Sequence, residues 1–394
     1  MATIVHITAD YPDAFAKKKT LAVRDFLALT PRHRHVVYSL NRVDGLGGAS
    51  IADSNRDVTT VVYRGPPYGL LLERFLAPVA ELIIRDLKRR DIGFDFVHGH
   101  KLTVDGIVAH AISEAFSCPL VCNVWGNTDQ KIIAAKPLLR PKFRAIAKDA
   151  RVILPATPWA GDYVREMLDV DPRKIRVMPV VCKLKPAMKA ATAANRVVTI
   201  FNLDGFAGKN IKALIDAIAL LRRHGRPAEL DIYGGGSALS LSKVREIIRR
   251  AGGQSFVALC GALDHEAVQE AINRYAAFAM PSRRETYGMV FVEALFAGVP
   301  ILYPKGQSLD GFFDAVEVGH KCNARSVADI AHQLDRVLAD EGRLKTNIGR
   351  LHGQGFFEIF ESATIAATYE DIVSRIIGTP QTNFVGHLRR MEAQ

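Results

Sequence analysis

The chain has 394 residues, 48% of them hydrophobic and 24% charged, with 52 Lys and Arg against 41 Asp and Glu for a formal net charge of +11. This balance excludes a disordered or collagen-like chain, and at ~150 residues per domain the length predicts two or three domains. The charge is uneven: residues 1–185 carry 28 basic and 19 acidic side chains, residues 186–394 carry 24 and 22, so the first half either has a basic surface or meets an anionic partner, with nucleic acid, anionic lipid and a phosphorylated substrate all open.

Short apolar runs alternate with longer amphipathic stretches. Residues 3–8 (TIVHIT) read as a buried strand, 20–29 as a helix, 35–40 and 58–63 as strands, and 70–90 as a long helix. Strands follow at 94–100, ending in a histidine pair, at 119–126, at 151–156 and at 175–181 (IRVMPVV). Residues 183–195 (KLKPAMKAATAAN) are rich in Ala and Lys and read as a linker. The pattern then restarts: strand 197–203, helix 211–225, strand 228–233 with a glycine turn, helix 241–251, strand 255–261, helix 265–275, strand 277–282, a loop and helix over 285–298, and strand 298–304. Such alternation predicts two doubly wound parallel α/β domains with a cleft between them and ligands at the carboxyl ends of the strands.

Five scattered cysteines with no zinc-type spacing predict buried thiols in a reducing compartment. The N-terminus lacks the basic start and long apolar core of a signal peptide, and no run of about 18 apolar residues predicts a membrane span. Asp169 and Asp171 superficially suggest a metal-binding pair. They sit before Pro172, between a helix and a strand, where turn chemistry accounts for them.

The most informative stretch is PSRRETYGMVFVEALFAGVPIL (281–302). Glu285 follows a strand end, Gly288 opens a helix, and Glu293 lies in an apolar run. A carboxylate there costs several kcal/mol unless it is paired or hydrogen-bonded. A polyol could supply donors through its hydroxyls, and the helix start offers free N–H groups to an anion. An amphipathic helix with one buried salt bridge would also account for the spacing.

This segment resembles the signature of retaining glycosyltransferases of the two-domain GT-B fold, family four, at Pro281, Ser282, Glu285, Tyr287, Gly288, Glu293, Ala294, Gly298 and Pro300. The resemblance implies that Glu285 holds donor-sugar hydroxyls and Glu293 the nucleotide ribose, with Tyr287 and Gly288 beside them. It implies that Lys209, at the head of a helix, holds the donor diphosphate, where a cation offsets charge on the leaving group. The family often has an Arg five residues earlier, where this chain has Asp204. The turn at Gly234 and Gly235 resembles the family's glycine turn, and Cys260–Gly261 the turn that receives the base. FDFVHGH resembles the family's HxH strand end, which implies an active-site role for His100. Thr157 stands where a Ser near the donor is usual, Trp125 where a His is common, and Val180 and Val181 replace an Asn-Gly pair. The opening DYPDAFAKKKTLAVRDFL resembles that of some bacterial exopolysaccharide transferases, with Lys17, Lys18 and Lys19 left facing phosphate, acceptor, lipid or solvent.

Two basic stretches bear on a membrane. Residues 70–90 mix leucines with a basic end. Residues 131–151 hold seven Lys and Arg and one acidic residue, with apolar residues interleaved. Both suit an anionic headgroup surface or an ordinary helix with a core face. Sparse aromatic interleaving and no recognisable motif speak against nucleic acid.

The expectations are therefore an α/β GT-B fold with an acceptor domain at 1–185, a nucleotide-sugar domain at 186–361, and a crossover helix and tail at 362–394 that return to the first domain. The resemblance implies a retaining, metal-independent enzyme that moves a hexose from GDP-mannose or a UDP-sugar to a lipid-linked saccharide in polysaccharide assembly. No cofactor is implied beyond the nucleotide sugar as co-substrate. The setting is cytoplasmic, peripheral on the inner membrane face. A nucleotide-sugar epimerase and a non-catalytic sugar-nucleotide binder are the alternatives.

Overall fold

The computed structural model describes residues 1–191 and 195–378. Part of the expected linker and the tail after Gly378 lie outside the described residues. By its contacts the chain divides into two units. One comprises Met1–Ala156, Ala160–Val181 and the chain from Ser362; the other comprises Thr157–Trp159 and Cys182–Glu361.

The first unit is built on strands β1 (Thr3–Thr8), β2 (Arg34–Asp44), β3 (Ala49–Ser54), β4 (Val58–Gly65), β5 (Phe96–Gly99), β6 (Leu120–Val124) and β7 (Val152–Pro155), in the order β3-β4-β2-β1-β5-β6-β7. All pairings are parallel except β3 with β4. Covered on both faces, the central strands TIVHIT and LVCNV are largely apolar and buried along their length, with His6 and Asn123 as buried polar interruptions. The edge strand β3 escaped the sequence reading because its residues (ASIADS) are mostly exposed and carry no apolar run.

The expected strand at 175–181 does not form. The segment touches the sheet through a single Ile153–Ile175 bridge, with Arg176 N–H donating to Ile153 O and Met178 N–H to Pro155 O, both at 2.9 Å. Pro179 has no N–H with which to continue a ladder. The basic stretch 131–151 is two helices, Asn127–Ala135 and Arg140–Asp149, broken at Pro137.

Helix Ser362–Gly378 belongs to this first unit. Its buried residues Ile365, Tyr369, Ile372 and Ile376 recur at helical spacing and join a core that includes Ile4, Phe26, Phe96 and Leu154. Truncating one of these large side chains to Ala would cost about 2–5 kcal/mol.

The second unit has β8 (Arg196–Ile200), β9 (Glu229–Tyr233), β10 (Val257–Gly261), β11 (Ala277–Ala279), β12 (Ile301–Pro304) and β13 (Gly319–Cys322), all parallel, in the order β10-β9-β8-β11-β12-β13. The short polar edge strand β13 (GHKC) was not legible in the sequence. No helix among the described residues is long and apolar enough to cross a membrane.

Candidate functional site

In the second unit, the chain leaving β8 and the chain leaving β11 are stitched together. Asn210, in a left-handed conformation (φ 60), heads helix Ile211–Arg223. Its Nδ2 donates to Pro281 O at 3.0 Å and to Ala324 O at 2.7 Å, and Arg283 N–H donates to Gly208 O at 2.9 Å. Held this way, Lys209 Nζ donates to Glu285 Oε2 at 2.5 Å. Glu285 is fixed from behind as well. Its N–H donates to Gln307 Oε1 at 2.9 Å, Gln307 Nε2 donates to Arg283 O at 3.2 Å, and Ser308 Oγ donates to Tyr287 O at 2.7 Å. Trp159 Nε1 in turn donates to Ser308 O at 2.8 Å.

Gly288, at φ 81, turns the chain into helix Met289–Phe296. A Cβ there would lie 2.6 Å from Phe291 and 3.0 Å from Ser308 Oγ, so the position needs glycine. On this helix Glu293 is 4% exposed. Burial pushes its carboxyl up to about 7. The His265 imidazole lies beside it, with Nδ1 3.4 Å from Oε1.

Glu293 lines a cavity of about 360 Å³ together with Asn202, Gly234, Gly235, Ala262 and His265. Gly234 also has no room for a side chain, since a Cβ would fall 1.8 Å from Phe201 O. Its N–H donates to Gly261 O at 2.8 Å, which joins the two glycine turns. Asp204, standing where a second cation was expected, is tied into the same turn. Its Oδ1 accepts from Ser237 N–H at 2.9 Å and from Ser237 Oγ at 2.7 Å. The structure thus gathers Gly234, Gly235 and Glu293 around one cavity, Gly261 beside Gly234, and Lys209, Glu285, Tyr287 and Gly288 along one bonded chain. Thr157 is wholly buried in this unit. The hydroxyls of Thr157, Ser282 and Tyr287 have no partner among the described residues.

The first unit places His100 at the carboxyl end of β5 within a buried histidine chain. Register pairs His6 with His98 and Ile4 with His35, so alternation puts His6, His35, His98 and His100 on one sheet face. The His35 Nε2–H donates to the Thr30 carbonyl at 3.0 Å. A carbonyl only accepts, so His35 Nδ1 is an acceptor and takes the His6 Nε2–H at 2.9 Å. His6 Nδ1 then accepts the His100 Nε2–H at 3.1 Å. Burial lowers the pKa of all three rings and keeps them neutral. His100 Nδ1 is therefore an unprotonated acceptor, buried and without a partner among the described residues. His98 bonds the Tyr369 hydroxyl at 2.9 Å and the Asn123 side chain. Atoms of His6, His98 and His100 lie within metal-ligand reach of one another. However, the nitrogens of His6 and His98 are already committed to hydrogen bonds.

Lys19 is not free to face a ligand. Its Nζ donates to Asp13 Oδ2 at 3.1 Å, Ser39 Oγ at 2.9 Å and Leu40 O at 3.2 Å, while Lys17 and Lys18 are exposed. Asn210, Gln307, Ser308, His6 and His35 escaped the sequence reading. Only the histidines left a signal there, as polar rings inside or opening buried strands.

Two families match the chain: glycosyl transferases group 1 over residues 191–350 and the glycosyl transferase 4-like domain over 23–180. It is 20% identical to N-acetyl-alpha-D-glucosaminyl L-malate synthase of Bacillus anthracis over 79% of this chain and 80% of that one. It is 25% identical to D-inositol 3-phosphate glycosyltransferase of Jonesia denitrificans over 70% and 72%. Among solved structures it is similar to sucrose-phosphate synthase from Thermosynechococcus elongatus, with a TM-score of 0.70, 16% identity and coverage of 96% and 99%. It is also similar to Anabaena HepE in complex with UDP-glucose, with a TM-score of 0.61, 13% identity and coverage of 95% and 100%.

Proposed function

This chain belongs to the family-four glycosyltransferases of the GT-B fold, and from that premise we propose that it moves a hexose from a nucleotide-diphosphate sugar with retention of anomeric configuration, without a divalent ion. The observation that carries the reading is the Lys209–Glu285 pair, set at a helix head and backed by Asn210 and Gln307. Lys209 takes the donor diphosphate and offsets the charge that builds on it as the bond to the sugar breaks. Glu285 accepts hydroxyls of the sugar. Glu293, beside the glycine turns in the cavity of about 360 Å³, accepts from the ribose diol. Gly261 and its neighbours receive the base, Thr157 contributes a hydroxyl, and His100 Nδ1 accepts a hydrogen bond from a hydroxyl of the donor sugar.

In this reading the acceptor hydroxyl attacks the anomeric carbon on the face the diphosphate leaves. The C–O bond to phosphate breaks as the new C–O bond forms, and the hydroxyl proton passes to the departing phosphate oxygen. No cofactor enters the reaction besides the donor. HepE, similar in fold, was solved with UDP and with UDP-glucose, which supports a UDP-sugar as the first donor to test alongside GDP-mannose.

The basic first half supports an anionic, lipid-linked saccharide acceptor at the cytoplasmic face of the inner membrane, in polysaccharide assembly. A small anionic acceptor is the second reading. It is favoured by the same basic excess and by relatives whose names refer to malate and inositol 3-phosphate. Thermal-shift measurements with UDP, GDP and their sugars test the donor: the base that binds the folded state raises its melting temperature by mass action. Absence of any shift with either base would refute the reading.

A further inference from the structure

The first unit presents four apolar side chains to water on two adjoining turns. The turn at Pro67–Gly69 and the chain after it expose Tyr68 (98%), Leu70 (63%) and Leu71 (57%); the turn at Pro137–Leu139 exposes Leu138 (93%). The turns are pinned to each other. Lys136 Nζ donates to Gly69 O at 2.6 Å, and the Lys136 stem passes 3.5 Å from where a Gly69 Cβ would stand. Tyr68 and Leu71 are held at φ 57 and 53, a left-handed conformation that is costly for bulky residues. The fold therefore keeps, under strain, apolar side chains that contribute nothing to its own core.

Their surroundings are cationic. Segments 66–75 and 131–140 contain Arg74, Lys131, Lys136 and Arg140 against one carboxylate, Glu73. Arg140 Nε donates to Ile133 O at 3.2 Å, so Arg140, like Lys136, braces the backbone and is no mere surface charge. Arg74 and Lys131 are exposed.

We infer that these paired turns are a wedge that enters an anionic bilayer surface. Leu70, Leu71 and Leu138 would sit at the acyl boundary, the Tyr68 ring at the headgroup level where its hydroxyl stays wet, and the cations among the lipid phosphates. The four apolar side chains stand exposed on and just after the two turns and cations flank them, which suits a fluid anionic surface better than a folded partner. The inference rests on the membrane-facing acceptor reading only for the choice of surface, and its test is independent of catalysis.

The test is co-sedimentation of the full chain with vesicles of phosphatidylcholine alone and with ~30% phosphatidylglycerol, for wild type, Tyr68→Ser/Leu138→Ser, Leu70→Ser/Leu71→Ser and Arg74→Gln/Lys131→Gln. Wild type should prefer the anionic vesicles. Each apolar double variant should bind about tenfold or more weakly, and the charge variant should lose most of its preference for phosphatidylglycerol. Melting temperature and nucleotide binding should stay at wild-type values in all of them. Wild-type vesicle binding by both apolar variants would overturn the inference. So would an absence of vesicle binding combined with a wild-type dimer that the variants dissolve, since the turns would then be a protein interface. If the wedge variants lose vesicle binding while wild type shows no response to any sugar nucleotide, the wedge stands and the transferase reading fails.

Discussion

Lys209 and Glu285, 76 residues apart in sequence, are joined Nζ to Oε2 in the second unit. A diphosphate drawn to Lys209 must therefore share the lysine with a carboxylate that repels it. Glu285→Gln removes that competition while keeping the side chain's shape. It is expected to bind UDP or GDP about fivefold more tightly than wild type, while Lys209→Ala binds it more weakly. Calorimetric titration of both variants checks the order, and Glu285→Gln binding more weakly than Lys209→Ala would contradict it.

Glu293 makes the second unit less stable as pH rises. An unfolded Glu ionises near 4.5 and this one at about 7. Between those values the folded state holds a proton that the unfolded state has lost, so stability falls with rising pH and levels off above 7. The change from pH 5 to pH 8 is about 2–3 kcal/mol. Glu293→Gln should abolish this slope, stabilise the unit at pH 8 and weaken nucleotide binding. Hydrogen exchange on peptides around 289–296 at the two pH values reads it out.

Within the first unit the buried histidines contribute in the opposite direction, while the buried Asp105, whose carboxyl burial pushes up to about 8, contributes in the same direction as Glu293. Burial lowers the His98 pKa to about 4, against 6.5 for an ordinary imidazole. Below pH 6.5 the unfolded chain takes up a proton that the folded one refuses, so stability falls as pH falls. His98 alone accounts for about 2 kcal/mol lost by pH 5, and His6 and His100 act in the same sense. Between pH 7 and pH 5, exchange protection of peptides around 96–100 should fall in wild type relative to His98→Asn, while that around 289–296 rises.

His6 acts on the proposed site through His100. Its Nδ1 is what fixes the proton on His100 Nε2. In His6→Phe that buried N–H loses its acceptor, at a cost of about 1–3 kcal/mol, and the proton is free to move to Nδ1. Nitrogen-15 spectra should show His100 protonated at Nε2 in wild type and as a tautomer mixture in the variant. Turnover is expected to fall about tenfold. An unchanged tautomer would refute the relay.

Gly234 and Gly288 hold the two ends of the proposed donor site. Gly234→Ala sets a methyl 1.8 Å from Phe201 O and Gly288→Ala sets one 2.6 Å from Phe291. Each should lower stability by about 1–3 kcal/mol and weaken nucleotide binding, which melting curves with and without UDP or GDP will show.

The parallel sheets and the stretch from Pro281 to Pro300 were legible because their information is local: apolar runs set the central strands, and the spacing of Glu285, Gly288 and Glu293 sits within one loop and helix. What was not legible depends on partners distant in sequence. Nothing near Asn210 announces that it will bond Pro281 and Ala324, and Gln307 reaches Glu285 only after β12 has paired with β11. The edge strands β3 and β13 lacked apolar runs because most of their residues are not buried, unlike those of the edge strand β7. Residues 175–181 looked like a strand by hydropathy, and Pro179 together with a single bridge to β7 left them outside the sheet. Lys19 read as one of three lysines open to phosphate, acceptor, lipid or solvent, because nothing local shows that Asp13 will hold it.

The central claim is most directly tested by the rate of sugar transfer from the identified nucleotide sugar in wild type, Lys209→Ala and Glu285→Gln, each with its melting temperature confirmed. Both variants should lose about 10²–10³-fold in kcat while remaining folded. Wild-type turnover by both would contradict the account.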